Sequence, residues 1–371
     1  GILSGKLFVE YFFVEDDGMS DYDEDYDEDH NKEDCCCGGL LTSNDVRTAI
    51  ISGETFKNKT VQYAAVDGLA VFEGCIVLGT VDEVEARTAD AKAALDAGDD
   101  PEGVAHGVVV TGANRRWPGG LMPYEIASNL PSTNVQRVND AIAHWKQKTG
   151  LRFVLRTNAN KSQYPNYVRF KPATGCWSQV GMRGGKQEIG LAGGCGFGAT
   201  VHEIGHAFGL WHEQSREDRN SKVKINWQNI QAGKEHNFNQ HISDGDDVGS
   251  YDYGSIMHYG RFAFSKNNQP TIESIPPGKT LGQRNGLSAG DIAAVQSIYQ
   301  LWETVDVARV YATSGSKNCW VMPQGQGWHR IDTKSVDGCS NIFDQCCFAM
   351  AFGKKLSLFK DGTTVFRAQL L

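Results

Sequence analysis

The stretch "HEIGHAFGLWH", residues 202–212, constrains this chain more than any other. His202 and His206 are four residues apart, so on a helix they lie about 40° apart on one face and can chelate a single ion. Glu203 sits beside the first of them, with its carboxylate placed to serve a water at the metal. Gly209 can adopt a left-handed conformation that ends the helix and turns the chain, so that His212 supplies a third nitrogen. Three neutral imidazoles leave one coordination position open, which marks a catalytic zinc site rather than a structural one closed by four protein ligands. Zinc there lowers the pKa of bound water to roughly 7, and Glu203 is expected to take the proton as the water attacks a carbonyl. A buried helix with incidental histidines would need three His, one Glu and one Gly to fall at these spacings by chance.

The rest of the chain frames this motif. At 371 residues it is long enough for two or three units. The formal charge of −9 belongs to one end: residues 1–34 hold thirteen acids and two bases, and the remainder is close to neutral. That tail, with "DDGMSDYDEDYDEDHNKED", reads as a low-complexity segment kept open by self-repulsion. No basic face suggests nucleic acid, and no apolar run is long enough to span a membrane. Ten dispersed cysteines favour an oxidising, secreted setting. "NKT" at Asn58 and "NKS" at Asn160 are potential glycosylation acceptors. "ILSGKLFVEYFFV" lacks the basic start and small-residue cleavage site of a signal peptide, so export is inferred from the cysteines; the start at Gly1 leaves room for a leader upstream.

Cys35 to Cys37 form "CCC", but adjacent thiols converge poorly on one ion, so a metal site there is disfavoured. Residues 61–80 suggest two strands around the turn "VDG", with "AVFEGCIVLGT" reading as a strand that carries one cysteine, Cys75. "DEVEARTADAKAALDAG" is helix-prone and "GDDPEG" a linker. "TNVQRVNDAIAHWKQKTG" has helical period and a Gly150 stop, whereas "RFVLRT" and "NYVRFKP" read as strands. After Trp302 short alternating segments and the "KDGT" hairpin predict a small β module. Its cysteines, Cys319, Cys339, Cys346 and Cys347, allow three pairings, of which the one joining adjacent Cys346 and Cys347 is strained.

The spacing is that of the metzincin signature, with "YGSIMHYGRFAFS" as the accompanying Met-turn. There Met257 is expected to form an apolar floor beneath the histidines and Tyr259 to place a phenol near the metal. "HEIGHAFGLWHEQSREDR" together with "SIMHY" resembles the astacin family of zinc endopeptidases. The likeness extends through "RRWPGGLMPYEI", "GCWSQVGMRGGKQEIGLAGGC" and "LGQRNGLSAGDIAAVQSIY". The resemblance implies an α+β, two-lobed catalytic domain over 108–301. It also implies an inhibitory prosegment over 35–107, beside the acidic tail over 1–34 and the cysteine-containing β module over 302–371 that composition and patterning set off. It further implies one catalytic zinc held by His202, His206 and His212, with Glu203 as general base and Tyr259 as a switchable fifth ligand that stabilises the oxyanion. Glu213 resembles the residue that meets the new N-terminus after activation. Cys176 and Cys195 are expected to form a disulfide, although the family's second bridge is absent because no cysteine lies between 108 and 175.

Family prosegments carry Phe-x-Gly-Asp, whose aspartate sits on the zinc. Here "FEGC" puts Cys75 in that place, so Cys75 is expected to be the fourth zinc ligand of a latent form. A thiolate is the softer and stronger ligand. Cleavage near "VAHGVVVTG" by an activating protease would release it. Protein or peptide substrates would add a strand along an edge, for which "QEIGLA" (187–192) is the expected partner. The resulting reading is a secreted, monomeric zymogen. The competing one is a retired scaffold that binds or adheres through its C-terminal module; such scaffolds usually lose a ligand or the base, and here each is present.

Overall fold

The computed structural model describes residues 40–51, 58–97, 115–240, 247–299, 302–312, 318–332, 336–361 and 364–371. The acidic tail and Cys35 to Cys37 lie outside the described residues, as does the expected cleavage region.

Alternating and β-branched residues place nine strands in one sheet, in the order β1-β2-β3-β4-β8-β9-β7-β5-β6. An antiparallel meander opens it: β1 (Val46–Ile51), β2 (Lys59–Val66), β3 (Leu69–Phe72) and β4 (Ile76–Thr80). The expected pair of strands is thus three, and "AVFEGCIVLGT" is not one strand. It breaks at Glu73 and Gly74, whose φ values of 45° and 68° turn the chain out of the sheet. A side chain at position 74 would also crowd its neighbours, since a Cβ there would lie 2.8 Å from the Leu40 side chain and 3.0 Å from Phe264. Helix α1 (Val81–Ala97) follows, with Thr80 and Glu83 capping its start reciprocally.

The second half of the sheet comprises β5 (Leu121–Ile126), β6 (Arg152–Leu155), β7 (Tyr167–Pro172), β8 (Trp177–Ser178) and β9 (Lys186–Leu191). Ile76 of β4 pairs in parallel with Ser178 of β8, which joins the two halves. This corrects the expected docking edge. β9 is interior, with β7 on one side and β8 on the other, so the edge that receives an added strand is β8.

Helix α2 (Ser132–Thr149) buries Val138, Ala141, Ile142 and Trp145 at helical spacing and ends on Gly150 in the left-handed conformation. It packs on α3 (Phe197–Ala207), in which every residue from 198 to 207 is buried. Such a helix has no water for its polar groups. The indoles of Trp145 and Trp117 donate to the Val201 and Ala207 carbonyls at 3.1 and 2.8 Å. A disulfide, Cys176–Cys195, ties the start of β8 to the turn before α3. The lower region holds the short pair β10 (Val223–Ile225) and β11 (Ile272–Ser274), and then α4 (Ala289–Tyr299).

The C-terminal module is a closed barrel of β12 (Trp302–Ala312), β13 (Cys319–Pro323), β14 (His329–Ile331), β16 (Thr364–Leu370) and β15 (Lys355–Asp361). The β reading omitted a helix: α5 (Val336–Phe352) presents Cys339, Ile342, Cys346 and Ala349 to the barrel core. That helix also overturns both unstrained cysteine pairings. Each required Cys339 to bond Cys346 or Cys347, yet seven or eight residues along one helix separate these by about 10–12 Å. The thiol of Cys319 instead faces Cys339.

Candidate functional site

Helix α3 carries His202, Glu203 and His206, all fully buried. The chain turns at Gly209, φ 98°, and brings His212 back to the same point. Each imidazole is oriented through its Nδ1. His202 and His206 donate to the carbonyls of Ile256 and Leu210, each at 2.8 Å. A carbonyl only accepts, so both rings carry the proton on Nδ1 and turn a bare Nε2 inward. Burial, together with the neighbouring imidazoles and Arg284, holds His202 well below the ordinary histidine range, and burial with His212 does the same for His206. Neutral imidazole is the form that ligates a metal.

The three Nε2 atoms converge on Cys75. Its Sγ lies 3.6 Å from His202, 3.4 Å from His206 and 3.2 Å from His212. These four ligand atoms, all buried, are mutually within 4.8 Å. Zn–S of about 2.3 Å and Zn–N of about 2.05 Å give a tetrahedron whose sulfur–nitrogen edges are about 3.5 Å. The observed separations fit zinc.

His212 differs from its partners in its support. Its Nδ1 donates to Glu73 Oε2 at 2.7 Å, and the other oxygen of that carboxylate accepts from the Ser215 hydroxyl at 2.7 Å. Glu73 is fully buried, and its backbone carbonyl accepts from the Tyr259 hydroxyl at 2.7 Å. Sequence reasoning passed over Glu73 and Ser215. The one available signal was a carboxylate at the unspecified position of "FEGC".

Met257 lies under the cluster, where Gly205 makes room: a Cβ there would stand 2.7 Å from the methionine sulfur. The Tyr259 ring packs against His212 with centroids 4.7 Å apart. Glu213 points away from the cluster into a small cavity lined by Trp211, Ser250, Asp252, Met257 and Asp291. It accepts the Asp252 amide at 2.7 Å and stands 3.6 Å from Arg216. Burial pushes its carboxyl up to about 8.

Three imidazoles on a buried helix and its return turn, above a methionine, define a zinc-binding protein of the metzincin plan. The family model for the astacin peptidases matches residues 109–300, and the chain belongs to that family. Protein SpAN of Strongylocentrotus purpuratus is 41% identical over 241 residues, covering 63% of this chain and 37% of the relative. Zinc metalloproteinase nas-6 of Caenorhabditis elegans is 35% identical over 251 residues, covering 66% of this chain and 70% of the relative. Among solved structures, the hatching enzyme zinc-protease High choriolytic enzyme 1 of Oryzias latipes shares 40% identity over 50% of this chain and 92% of its own, with a TM-score of 0.46. The chain spans 37% of SpAN, 34% of Blastula protease 10 and 41% of nas-13.

Proposed function

We propose that this chain is the latent precursor of a secreted zinc endopeptidase, held closed by Cys75 until its N-terminal segment is cut away. The observation that carries the reading is the seating of the Cys75 sulfur among three imidazole nitrogens, at separations that suit one zinc ion. His202, His206 and His212 hold the metal in both states, and Cys75 fills the remaining position in the closed one. The ion that His202, His206 and His212 would hold would supply Lewis-acid polarisation of a substrate carbonyl and activation of water.

The residues of the chain divide the remaining work. Glu203, next to His202 on α3, takes the proton from attacking water and passes it to the leaving amine. Tyr259 donates to the oxygen that gains charge. In the closed form that phenol is committed to the Glu73 carbonyl, which supports a double block: one group fills the metal position and another occupies the oxyanion donor. The prosegment further covers the edge at β8, where the Ser178 amide donates to the Cys75 carbonyl at 3.0 Å. Substrate would add to that edge once the prosegment has gone. Glu213, buried beside its cavity, is suited to meet the ammonium of a new N-terminus made by cleavage near "VAHGVVVTG" (104–112).

Secretion and protein substrates are part of the same proposal. No helix among the described residues is long and apolar enough to cross a membrane. The test is to express the chain, measure bound zinc, and follow casein hydrolysis before and after limited proteolysis near residues 104–112. A stoichiometric zinc content with activity appearing only after cleavage is expected. Full activity in the uncut chain rules out latency, and no activity in the cut chain rules out the protease.

A further inference from the structure

The segment that fills the cleft also covers an arginine. Three residues beyond Cys75, the carbonyl of Leu78 accepts a hydrogen bond from Arg183 Nη2 at 3.1 Å. Arg183 stands at the turn between β8 and β9, and its backbone is held firmly. Its amide donates to Gln187 Oε1 at 2.9 Å, Gln187 is itself buried and donates to the Gly181 carbonyl, and Arg115 donates to the Arg183 carbonyl at 3.3 Å. The guanidinium is therefore carried on a preorganised support beside the edge that an added strand uses.

Its electrostatic setting is unusual for a cation. Burial, then the like charges of Arg87 and Arg115, pull it down to about 10, with Glu83 acting in the opposite sense. Glu83 and Arg87 both belong to α1, where Glu83 Oε2 lies 3.6 Å from Arg87 Nη2. Both sit over the end of β4: a Cβ on Gly79 would be 3.1 Å from Glu83 Oε2 and 3.6 Å from Arg87 Nη1. When the segment departs, Arg183 loses the Leu78 carbonyl and, with α1, both Glu83 and Arg87, whose charges offset each other, and it keeps the like charge of Arg115 as its neighbour. A backbone carbonyl from the next occupant replaces one hydrogen bond but no charge. A carboxylate supplies the hydrogen bond and also a charge opposite to the Arg183 and Arg115 pair, and a guanidinium can bind it with two parallel donors.

We propose that Arg183 is a specificity-determining residue that selects an acidic side chain about three residues from the cleaved bond of the substrate. The distance follows from the latent form. Leu78 is three residues from the ligand Cys75, about 10 Å along an extended strand, and a substrate lying on β8 passes the same guanidinium. This inference rests on the protease reading above.

The experiment profiles the proteolytically activated chain on a randomised peptide library, followed by kcat/KM for matched acidic and neutral peptides. Wild type should enrich Asp or Glu at one position two to four residues from the cleaved bond. Arg183→Ala should lower the acidic-to-neutral ratio of kcat/KM about tenfold, the worth of one charge-assisted contact. Arg183→Lys should keep part of the ratio, and Arg183→Glu should turn the preference toward Lys or Arg, which loss of support alone does not do. Cleavage with no acidic preference in wild type, or a preference that survives both Ala and Glu, overturns this inference alone. An activated chain that cleaves nothing overturns the protease reading and this one with it.

Discussion

Glu73 Oε2 accepts the Nδ1–H of His212 at 2.7 Å, so a carboxylate from the N-terminal segment orients an imidazole 139 residues further along the chain. A metal-ligating histidine is commonly supported in this way through its second nitrogen. His202 and His206 draw that support from carbonyls inside the family domain, whereas His212 draws it from a group that leaves if the segment is removed. The same carboxylate holds Ser215, so the turn at Glu73 and Gly74 is anchored by the side chains of His212 and Ser215.

Glu73→Ala should loosen the closed form without touching its sulfur. Losing a hydrogen bond to a charged group costs roughly 1.5–3 kcal/mol, or about ten- to a hundredfold in the open population. Casein hydrolysis by the uncut variant should rise accordingly, with Glu73→Gln in between. Background activity equal to wild type would remove Glu73 from the latency mechanism.

Cys75→Ala should give a precursor that is partly active before cleavage or that matures early, while Cys75→Asp should stay latent because a carboxylate also ligates zinc. Uncut-chain activity read alongside gel-monitored maturation distinguishes them. If Cys75→Ala is as silent as wild type, the thiol is packing rather than blocking.

Glu203→Gln in the activated chain should retain zinc and fold yet lose turnover, because an amide does not accept the proton of the attacking water. Removal of a general base costs about 10²–10⁴-fold. A kcat within threefold of wild type at full zinc content would reject the assigned role.

Tyr259→Phe should lower kcat by about two orders of magnitude, since one oxyanion donor contributes about 3 kcal/mol, and should leave KM nearly unchanged. In the precursor the same change removes the bond to the Glu73 carbonyl. A rise in KM at constant kcat would show that the phenol binds substrate instead.

Replacing Cys176 and Cys195 by alanine should lower stability by roughly 3 kcal/mol, the chain-entropy contribution of a loop closed over 19 residues. Thermal or urea unfolding of the uncut chain measures it. An unchanged midpoint would mean the turn before α3 is held by packing alone.

The local code was sufficient for the zinc face and for most elements around it. Two histidines four apart, a glycine able to turn left and a third histidine are a one-dimensional specification, because a helix converts sequence spacing directly into a shared face. The same holds for α2, whose apolar period and Gly150 stop are local properties. Cys75 was singled out only through the resemblance, because "FEGC" puts it where family prosegments carry an aspartate. Helix α5 had an apolar period at Cys339, Ile342, Cys346 and Ala349 too, but it was hidden among cysteines and short alternating segments that read as strands.

What only the tertiary structure decided is everything that depends on partners distant in the chain. Whether β9 is an edge is a property of its neighbours, and β8 covers it, so the strand that receives β4 is a two-residue one with almost no pattern of its own. Glu73 is an ordinary acid in sequence. It becomes an anchor because positive φ at residues 73 and 74 swings it out of the sheet and into contact with His212, Ser215 and Tyr259. Arg183 is likewise one more surface cation until β4 lies across it. Spacing along a helix is set by covalent geometry and can be counted. Contacts across a cleft are set by how the whole sheet closes, and they appear only once it has.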